Sequence, residues 1–241
     1  MSTPRIDGRA PEAMRPISFQ RRFTSMTPGS VLASFGETRV LCTASLTDGV
    51  PRFLQGKGKG WLTAEYAMLP SSTEGRKARD RNGRVDGRSV EIQRLIGRSV
   101  RAVTNLNVFG ERTIYIDCDV LQADGGTRTT AISGAWVALH DLFLHMDSRR
   151  ILKEWPIEQQ LGAVSVGVIE GEVLSDLCYK EDSTADVDMN VVMTSSGEFV
   201  EIQGAAEGAT FSRETMDTLL ATAEASIRQI FEAQRAAVEE G

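Results

Sequence analysis

The alternation of hydrophobic and polar positions over the first 70 residues predicts a series of short β-strands. Val, Ile, Phe and Thr recur in short runs, and Gly29, Gly36 and Gly49 separate these runs as turn residues do. The predicted strands cover residues 17–23, 30–35, 38–46 and 61–69. The first part of the chain is therefore expected to form sheet.

Helical and strand periodicities alternate through the rest of the chain. Apolar residues at helical spacing predict helices over residues 89–106 and 128–146, and a last helix that begins near Ser212, a good N-cap residue. Further strands are predicted at residues 113–121, 160–169, 172–177, 186–193 and 198–203. This order predicts an α+β fold over residues 1–241, with helices packed on mixed sheets.

Composition excludes several classes of protein. With 41% hydrophobic and 25% charged residues, the chain is neither globally disordered nor fibrous. No apolar run approaches the about 20 residues that a transmembrane helix needs, and the N-terminus lacks the apolar region of a secretory signal. The three cysteines are widely spaced and form no C-x-x-C pair, which disfavours a disulfide framework or a zinc site. We therefore expect a cytoplasmic protein with no membrane partner.

The net charge of −6 is distributed unevenly along the chain. Residues 1–110 carry a net charge of +9, and residues 111–241 carry −15. The basic half could attract a polyanion while the acidic half gathers carboxylates, as a metal site requires. Alternatively, the two halves neutralise each other across an interface.

Residues 71–88 form a basic segment. Six of them are basic, three are acidic, and Val85 is the only large apolar residue. Such a stretch cannot bury itself, so we expect a mobile loop. Its basic side chains are candidates for contacts with RNA phosphates. These candidates are Arg76, Lys77, Arg79, Arg81 and Arg84.

The predicted helix that follows carries three arginines on one face. Arg94, Arg98 and Arg101 could track an RNA backbone. They could equally pair with carboxylates of a neighbouring subunit.

A glycine-rich turn between a predicted strand and a predicted helix is a candidate phosphate cradle. Free backbone N–H groups at a helix N-terminus bind anions, and Gly125 and Gly126 let the backbone come close to a ligand. Thr127 adds a hydroxyl, and Arg128 adds a planar, two-pronged donor. The alternative is an ordinary glycine turn followed by a threonine-rich cap, with Arg128 on the surface.

An acidic stretch at residues 181–190 is a candidate metal site. If residues 186–193 form a strand, Asp186, Asp188 and Asn190 share one face, and Asp182 sits in the turn before them. Oxygen ligands of this kind suit Mg²⁺ or Mn²⁺. The alternative is a solvated edge strand whose carboxylates face water.

The sequence offers no side-chain nucleophile of a familiar kind. His140 and His145 are five positions apart on a helix and do not share a face, and no G-x-S-x-G motif or Ser–His–Asp order is visible. An enzyme with this sequence would use an external nucleophile, phosphate or water, helped by a metal ion.

Four segments together resemble the ribonuclease PH family of bacterial phosphorolytic exoribonucleases. They are GWLTAEYAMLP (60–70), GRSVEIQRLIGRSVRA (87–102), IDCDVLQADGGTRT (116–129) and EDSTADVDMNVVM (181–193). The order and spacing of these segments match the family, and the resemblance extends over nearly the whole chain.

The resemblance implies a fold, an activity and an assembly. The fold would be the ribosomal-protein-like β–α–β fold, and the assembly a homo-hexamer built as a trimer of dimers. The activity would be trimming of tRNA 3′ ends, and of other structured RNA with single-stranded 3′ tails, with inorganic phosphate as co-substrate and release of nucleoside diphosphates. Ser71 stands where the family often has Arg after MLP, which removes one possible RNA contact.

The resemblance also implies a set of site residues. The phosphate ligands would be Arg88, Gly126, Thr127 and Arg128. Asp182 and Asp188 would be the catalytic and Mg²⁺-binding carboxylates, and one of them would act as general acid. Two alternatives remain, a metal-dependent exonuclease in which water attacks and a non-catalytic RNA-binding ring subunit.

Overall fold

The computed structural model describes residues 5–79, 86–208 and 210–239, and its elements follow the predicted order. The first part contains β1 (Ile17–Arg21), β2 (Gly29–Phe35), β3 (Thr38–Asp48), β4 (Trp61–Met68), α1 (Gly87–Ala102) and β5 (Arg112–Gln122). The second part contains α2 (Thr127–Ser148), β6 (Leu161–Ile169), β7 (Glu172–Ser175), α3 (Tyr179–Asp182), β8 (Val187–Thr194), β9 (Phe199–Ala206) and α4 (Arg213–Glu239). Arg81 and Arg84, predicted to contact RNA, lie outside the described residues.

The strands form two sheets. The first has the order β1-β2-β3-β5-β4 and is mixed, because β4 and β5 run parallel and α1 connects them. The second has the order β7-β6-β8-β9 and is antiparallel throughout. The predicted α+β class and the β–α–β unit are therefore confirmed.

Helix α2 lies between the two sheets and packs on both. It is buried on most of its circumference, so it is a core helix with no polar face. A Cβ on Gly134 would lie 2.6 Å from the Cβ of Ala33, which shows how closely the helix approaches β2. This packing fixes where the N-terminus of α2 points.

Two differences from the sequence predictions bear on the site. Strand β8 lies between β6 and β9, so the alternative of a solvated edge strand is wrong. Helix α1 begins at Gly87, two residues earlier than predicted, because Asp86 accepts a hydrogen bond from the backbone N–H of Arg88 and caps the helix. Arg88 is therefore part of the first helical turn.

Within the described ranges, no helix has both the length and the apolar character that crossing a bilayer requires.

Candidate active site

A cavity of about 570 Å³ opens where the first turn of α1, the turn before α2 and helix α3 meet. Four residues predicted as ligands or acids line it. They are Arg88, Gly126, Thr127 and Asp182. Residues that are far apart in the sequence thus share one concave surface.

The turn before α2 can be built only with glycine. Gly125 and Gly126 have φ angles of +74° and +63°, a region that residues with a Cβ rarely adopt. A Cβ on Gly125 would lie 2.4 Å from the carbonyl oxygen of Leu177, so a side chain at residue 125 would collide with the backbone of the second half of the chain. The carbonyl oxygen of Gly125 also accepts a 2.7 Å hydrogen bond from Thr38.

The N-terminus of α2 faces the cavity without a side-chain cap. Gly126 occupies the N-cap position, and no side chain accepts from the first N–H groups in the part of the chain described. Free N–H groups and the positive end of a helix dipole attract anions. The turn predicted from the glycine pair is therefore present and opens on the cavity, and phosphate binding there stays a prediction.

Tyr66 is a site residue that the sequence analysis missed. It lies on β4, is 4% exposed, and its hydroxyl donates a 2.8 Å hydrogen bond to Oγ1 of Thr127. Burial raises the pKa of the Tyr66 phenol, so it stays a neutral donor. Because Thr127 accepts from Tyr66, its own hydroxyl proton is free to point toward the cavity. The only sequence signal for this role is its place in the GWLTAEYAMLP segment.

Arg128 is held in place and largely buried, which contradicts the alternative of a surface position. Its side chain is 15% exposed, and its Nη1 donates to Gln203 at 2.8 Å and to Glu91 at 3.3 Å. Gln203 donates in turn to Glu91 at 3.2 Å. These bonds use only one nitrogen of the guanidinium, so the others remain available for a ligand. Arg88, by contrast, is exposed at the mouth of the cavity.

The two predicted carboxylates come from different elements. Asp182 is the last residue of α3, a short helix that was predicted as a turn, and Asp188 lies on β8. Asn190 follows on the same face of β8, while Asp186 precedes the strand and is exposed. Of the three residues predicted to share a strand face, β8 thus carries only Asp188 and Asn190.

Electrostatics connect the carboxylates with the arginines. Burial, together with repulsion from Asp182, raises the pKa of Asp188 to about 6. Burial also raises the pKa of Asp182, while Arg88 and Arg128 act in the opposite direction on both carboxyls. The candidate phosphate ligands and the candidate acids are therefore close enough to influence one another.

One oxygen of Asp188 lacks a partner. Its Oδ1 is buried and accepts no hydrogen bond from any described residue. A buried carboxylate oxygen without a donor is costly unless a cation or a ligand supplies one. No cluster of three or more His, Cys, Asp or Glu side chains suited to a metal exists among the described residues. A metal ion here would depend on two carboxylates, water and a substrate, which is the usual environment of Mg²⁺.

The basic residues predicted to contact RNA or a neighbouring subunit divide into two groups. Arg76 and Arg79 are exposed, and Arg76 directly follows Gly75 of the cavity lining, whereas Lys77 pairs with Asp86 at 2.7 Å. On α1, Arg98 pairs with Glu201 of β9. Arg101 donates to the carbonyl oxygen of Leu62 at 2.9 Å and lies over the ring of Trp61. Arg98 and Arg101 thus have partners within their own chain, whereas Arg94, the third arginine of the predicted face, is exposed.

Three arginines from the first 15 residues lie beneath the cavity, and the sequence analysis gave none of them a role. Arg5 forms a bidentate pair with Glu181, with distances of 2.8 and 2.7 Å. Arg15 forms a bidentate pair with Asp176, with distances of 2.9 and 2.7 Å. Arg9 lies between the two pairs. All four paired side chains are almost completely buried.

Comparisons with known proteins identify relatives over the whole chain. The model of the 3′ exoribonuclease family, domain 1, matches residues 13–144, and the model of domain 2 matches residues 159–226. Ribonuclease PH of Mycobacterium sp. (strain KMS) is 57% identical over 98% of this chain and 91% of its own length. Ribonuclease PH of Synechococcus sp. (strain JA-2-3B'a(2-13)) is 53% identical over 99% of this chain and 98% of its own length.

Solved structures share the fold at low sequence identity. Rice Rrp46 superposes with a TM-score of 0.79 at 20% identity, covering 97% of this chain and 99% of its own. The Archaeoglobus fulgidus exosome with RNA bound to the active site also gives a TM-score of 0.79 at 20% identity, covering 95% of this chain and 91% of that chain. At this identity the likeness concerns the fold alone.

Proposed function

Because the chain belongs to the ribonuclease PH family of 3′ exoribonucleases, we propose that its cavity is the site where phosphate attacks the 3′-terminal phosphodiester of RNA. The enzyme is phosphorolytic, and its role is to trim tRNA 3′ ends. The observation that carries the assignment of the site is the meeting of an uncapped helix N-terminus with two partly buried carboxylates.

Phosphate binds on the α2 side of the cavity. The N–H groups after Gly126, the hydroxyl of Thr127 and the free nitrogens of Arg128 supply donors, and Arg88 closes the open side. A charged, bidentate arginine contact suits a phosphate dianion. Tyr66 orients the Thr127 hydroxyl and acts through it.

Asp182 and Asp188 would hold a divalent cation, Mg²⁺ or Mn²⁺. The unpartnered Oδ1 of Asp188 and the repulsion between the two carboxylates fit this role, because a cation would relieve both. When bound, the ion would offset negative charge on the phosphoryl oxygens.

The reaction needs no side-chain nucleophile. An oxygen of the bound phosphate attacks the phosphorus of the last internucleotide linkage, and the bond between that phosphorus and the 3′-oxygen of the preceding nucleotide breaks. The products are one nucleoside diphosphate and an RNA shortened by one residue. The leaving 3′-oxygen takes up a proton. The pKa of each carboxyl is raised, and Asp182 is the one that lines the cavity, so we assign the proton donor to Asp182.

The body of the RNA binds outside the cavity. Arg76 and Arg79 are exposed and follow Gly75 of the cavity lining, and Arg81 and Arg84 precede Arg88 in the sequence. Lys77 would reach RNA only by leaving Asp86. We further propose that the chain works in the cytoplasm as a homo-hexamer, a trimer of dimers. Archaeal exosome cores, whose subunits share its fold, give this assembly its support.

A product analysis tests the proposal. A short RNA with a single-stranded 3′ tail is incubated with Mg²⁺, with and without phosphate, and the released nucleotides are separated. We expect diphosphates that appear only with phosphate. Monophosphates released at an equal rate without phosphate would identify a hydrolase, and RNA binding without degradation would identify a non-catalytic ring subunit.

A further inference from the structure

The Arg15 pair supports the turn that carries the glycine cradle. The guanidinium of Arg15 is bound bidentately by Asp176, and its Nη1 also donates to the carbonyl oxygen of Asp124. A Cβ on Gly126 would lie 3.3 Å from Nη2 of Arg15, so this side chain lies directly against the cradle. Arg15 therefore fixes the backbone that faces phosphate.

The Arg5 pair supports the helix that carries Asp182. Glu181, the neighbour of Asp182, is 3% exposed and accepts both hydrogen bonds from Arg5. Its Oε2 also accepts from the backbone N–H of Cys178 at 3.0 Å and so caps α3. A helix of four residues has no stability of its own, so its geometry depends on such contacts.

Arg9 connects the two pairs. It donates to the carbonyl oxygen of Asp176 at 3.1 Å, and its guanidinium lies 3.5 Å from Oδ2 of Asp176 and 3.7 Å from Oε2 of Glu181. Asp176 itself has a φ angle of +49°, an unfavourable backbone conformation for aspartate that surrounding contacts must impose. The three arginines face four carboxylates, of which Asp176 and Glu181 are buried and Asp7 and Asp124 are partly exposed, so each buried carboxylate has a cationic partner.

We propose that Arg5, Arg9 and Arg15 are positioning residues for the reaction and that their two pairs have separate tasks. Arg15 with Asp176 sets the phosphate-binding turn, whereas Arg5 with Glu181 sets α3 and thereby Asp182. The inference rests on the proposed function. None of the three arginines needs to touch the substrate, because each acts through backbone or a neighbouring side chain.

Conservative variants separate the two tasks. Arg15→Lys keeps the charge but loses the bidentate geometry, and we expect the KM for phosphate to rise about tenfold with little change in kcat. Arg5→Lys should lower kcat by about 10²-fold, the effect of a displacement near 1 Å, and leave the KM for phosphate within about twofold. Phosphate affinity can also be measured by calorimetry without RNA and with a chelator. It should be weakened in Arg15→Lys and nearly unchanged in Arg5→Lys, and this measurement does not depend on turnover.

A matched control measures the effect of disrupting a buried ion pair that lies away from the cavity. Arg21 pairs with Asp141, which is 4% exposed on its side chain, and this pair joins β1 to α2 and lines no part of the cavity. Arg21→Lys should lower the melting temperature as the other variants do, and leave both kcat and the KM for phosphate unchanged. If all three variants changed the two kinetic constants alike, the arginines would be general stabilising residues and the inference would be wrong.

A second variant keeps the test valid if Arg5→Lys does not fold. Replacing a buried ion pair by two apolar side chains is often neutral for stability, whereas removing one partner is not. Arg5→Met combined with Glu181→Leu should therefore stay folded by thermal denaturation and lose kcat. A folded double variant with full kcat would overturn the role of Arg5. Failure of the proposed function would give a different result, because the unaltered enzyme would then degrade RNA without phosphate.

Discussion

The proposed site has two unlike sides, a buried wall with Arg128 and Asp188 and an exposed wall with Arg88, Arg76 and Arg79, and of these five residues only Arg88 lines the cavity itself. On one wall, Arg128 and Asp188 are largely buried and fixed by α2, β8 and β9. On the other, Arg88 and the exposed arginines at 76 and 79 face solvent at the start of α1 and before it. The same residue type, arginine, thus serves two purposes, and burial distinguishes them.

The difference indicates where the chemistry and the affinity reside. Groups that must stabilise charge in a transition state work best when they are fixed before the substrate binds and kept from water. Groups that hold the backbone of a variable RNA work through long-range charge and need no fixed geometry. Changes to the buried wall should therefore alter rate constants, and changes to the exposed wall should alter binding and its dependence on salt.

The largest effect is expected from Asp188→Asn. The change is nearly isosteric but removes a charge from the buried wall, and we expect the rate to fall by about 10²-fold or more. RNA affinity should stay within about twofold of the parent enzyme, because the exposed wall supplies it. Single-turnover rates at saturating Mg²⁺ and phosphate, together with a filter-binding assay, measure both quantities. A fully active variant would exclude Asp188 from the site.

A smaller effect is expected from Arg128→Lys. Lysine keeps the charge but not the planar fork that phosphate and Gln203 share. The phosphate concentration at half-maximal rate should rise about tenfold, in line with a lost charge-assisted hydrogen bond. RNA affinity measured without phosphate should not change. A collapse of RNA binding with an unaltered phosphate requirement would place Arg128 on the exposed wall instead.

Changes to the exposed wall should lower the affinity for RNA a few-fold and should also alter how this affinity depends on salt. Each phosphate that a basic side chain neutralises adds about 0.7 to 0.9 to the slope of log affinity against log salt. Replacing Arg76 and Arg79 by alanine should therefore lower this slope by roughly 1.5. It should weaken binding of a tailed tRNA more than turnover of a dinucleotide, which is too short to reach residues 76 and 79.

The control for that variant is Arg228→Ala, which removes another exposed arginine, from α4. This control should leave the salt slope unchanged. If the dinucleotide and the tailed tRNA lost rate equally in the double alanine variant, the residues would support the active site and the contrast between the walls would fail.

The smallest effect concerns stability against pH. The pKa of Asp188 is about 6 in the folded protein and near the ordinary value of 3.8 in the unfolded chain. The folded state binds more protons over this interval, so the free energy of unfolding should fall as pH rises from 4 to about 6. With a chelator present, Asp188→Asn should melt at the parent temperature near pH 3.5 and roughly 6 °C higher at pH 7.5. If the melting temperatures of Asp188→Asn and the parent enzyme differed by the same amount at every pH, the pKa of Asp188 would not be raised in the folded protein.

The sequence predicted the elements well because their periodicity is local. All nine strands and three of the four helices lie within a few residues of their predicted bounds. The glycine turn before α2 was also predictable, since the glycine pair lies between a predicted strand and a predicted helix, whereas phosphate binding at this turn stays a prediction. The placement of Arg88 and Asp182 on one cavity agrees with the resemblance to the ribonuclease PH family.

What the sequence could not supply depends on long-range contacts. Helix α3 has no periodicity to detect, because its four residues are held by Arg5 and by a cap from Glu181. The sequence alone does not distinguish Arg5 from Arg76, yet Arg5 is buried in an ion pair and Arg76 is exposed. Only the pairing of charges across the fold separates a positioning arginine from one that faces solvent.

Arg5 and Glu181 are 176 positions apart in the chain, and this separation affects when the site can form during synthesis. The N-terminal arginine leaves the ribosome first, and its partner follows roughly 10 to 35 s later at common rates of synthesis. Until then, α3 lacks its anchor and the backbone of residue 177 cannot press against Gly125. A nascent chain therefore carries its glycine turn and its arginines for many seconds without a working site. The site can be completed only after residues 177–188 have been synthesised, because Asp182, Asp188 and the contacts of α3 lie in that segment.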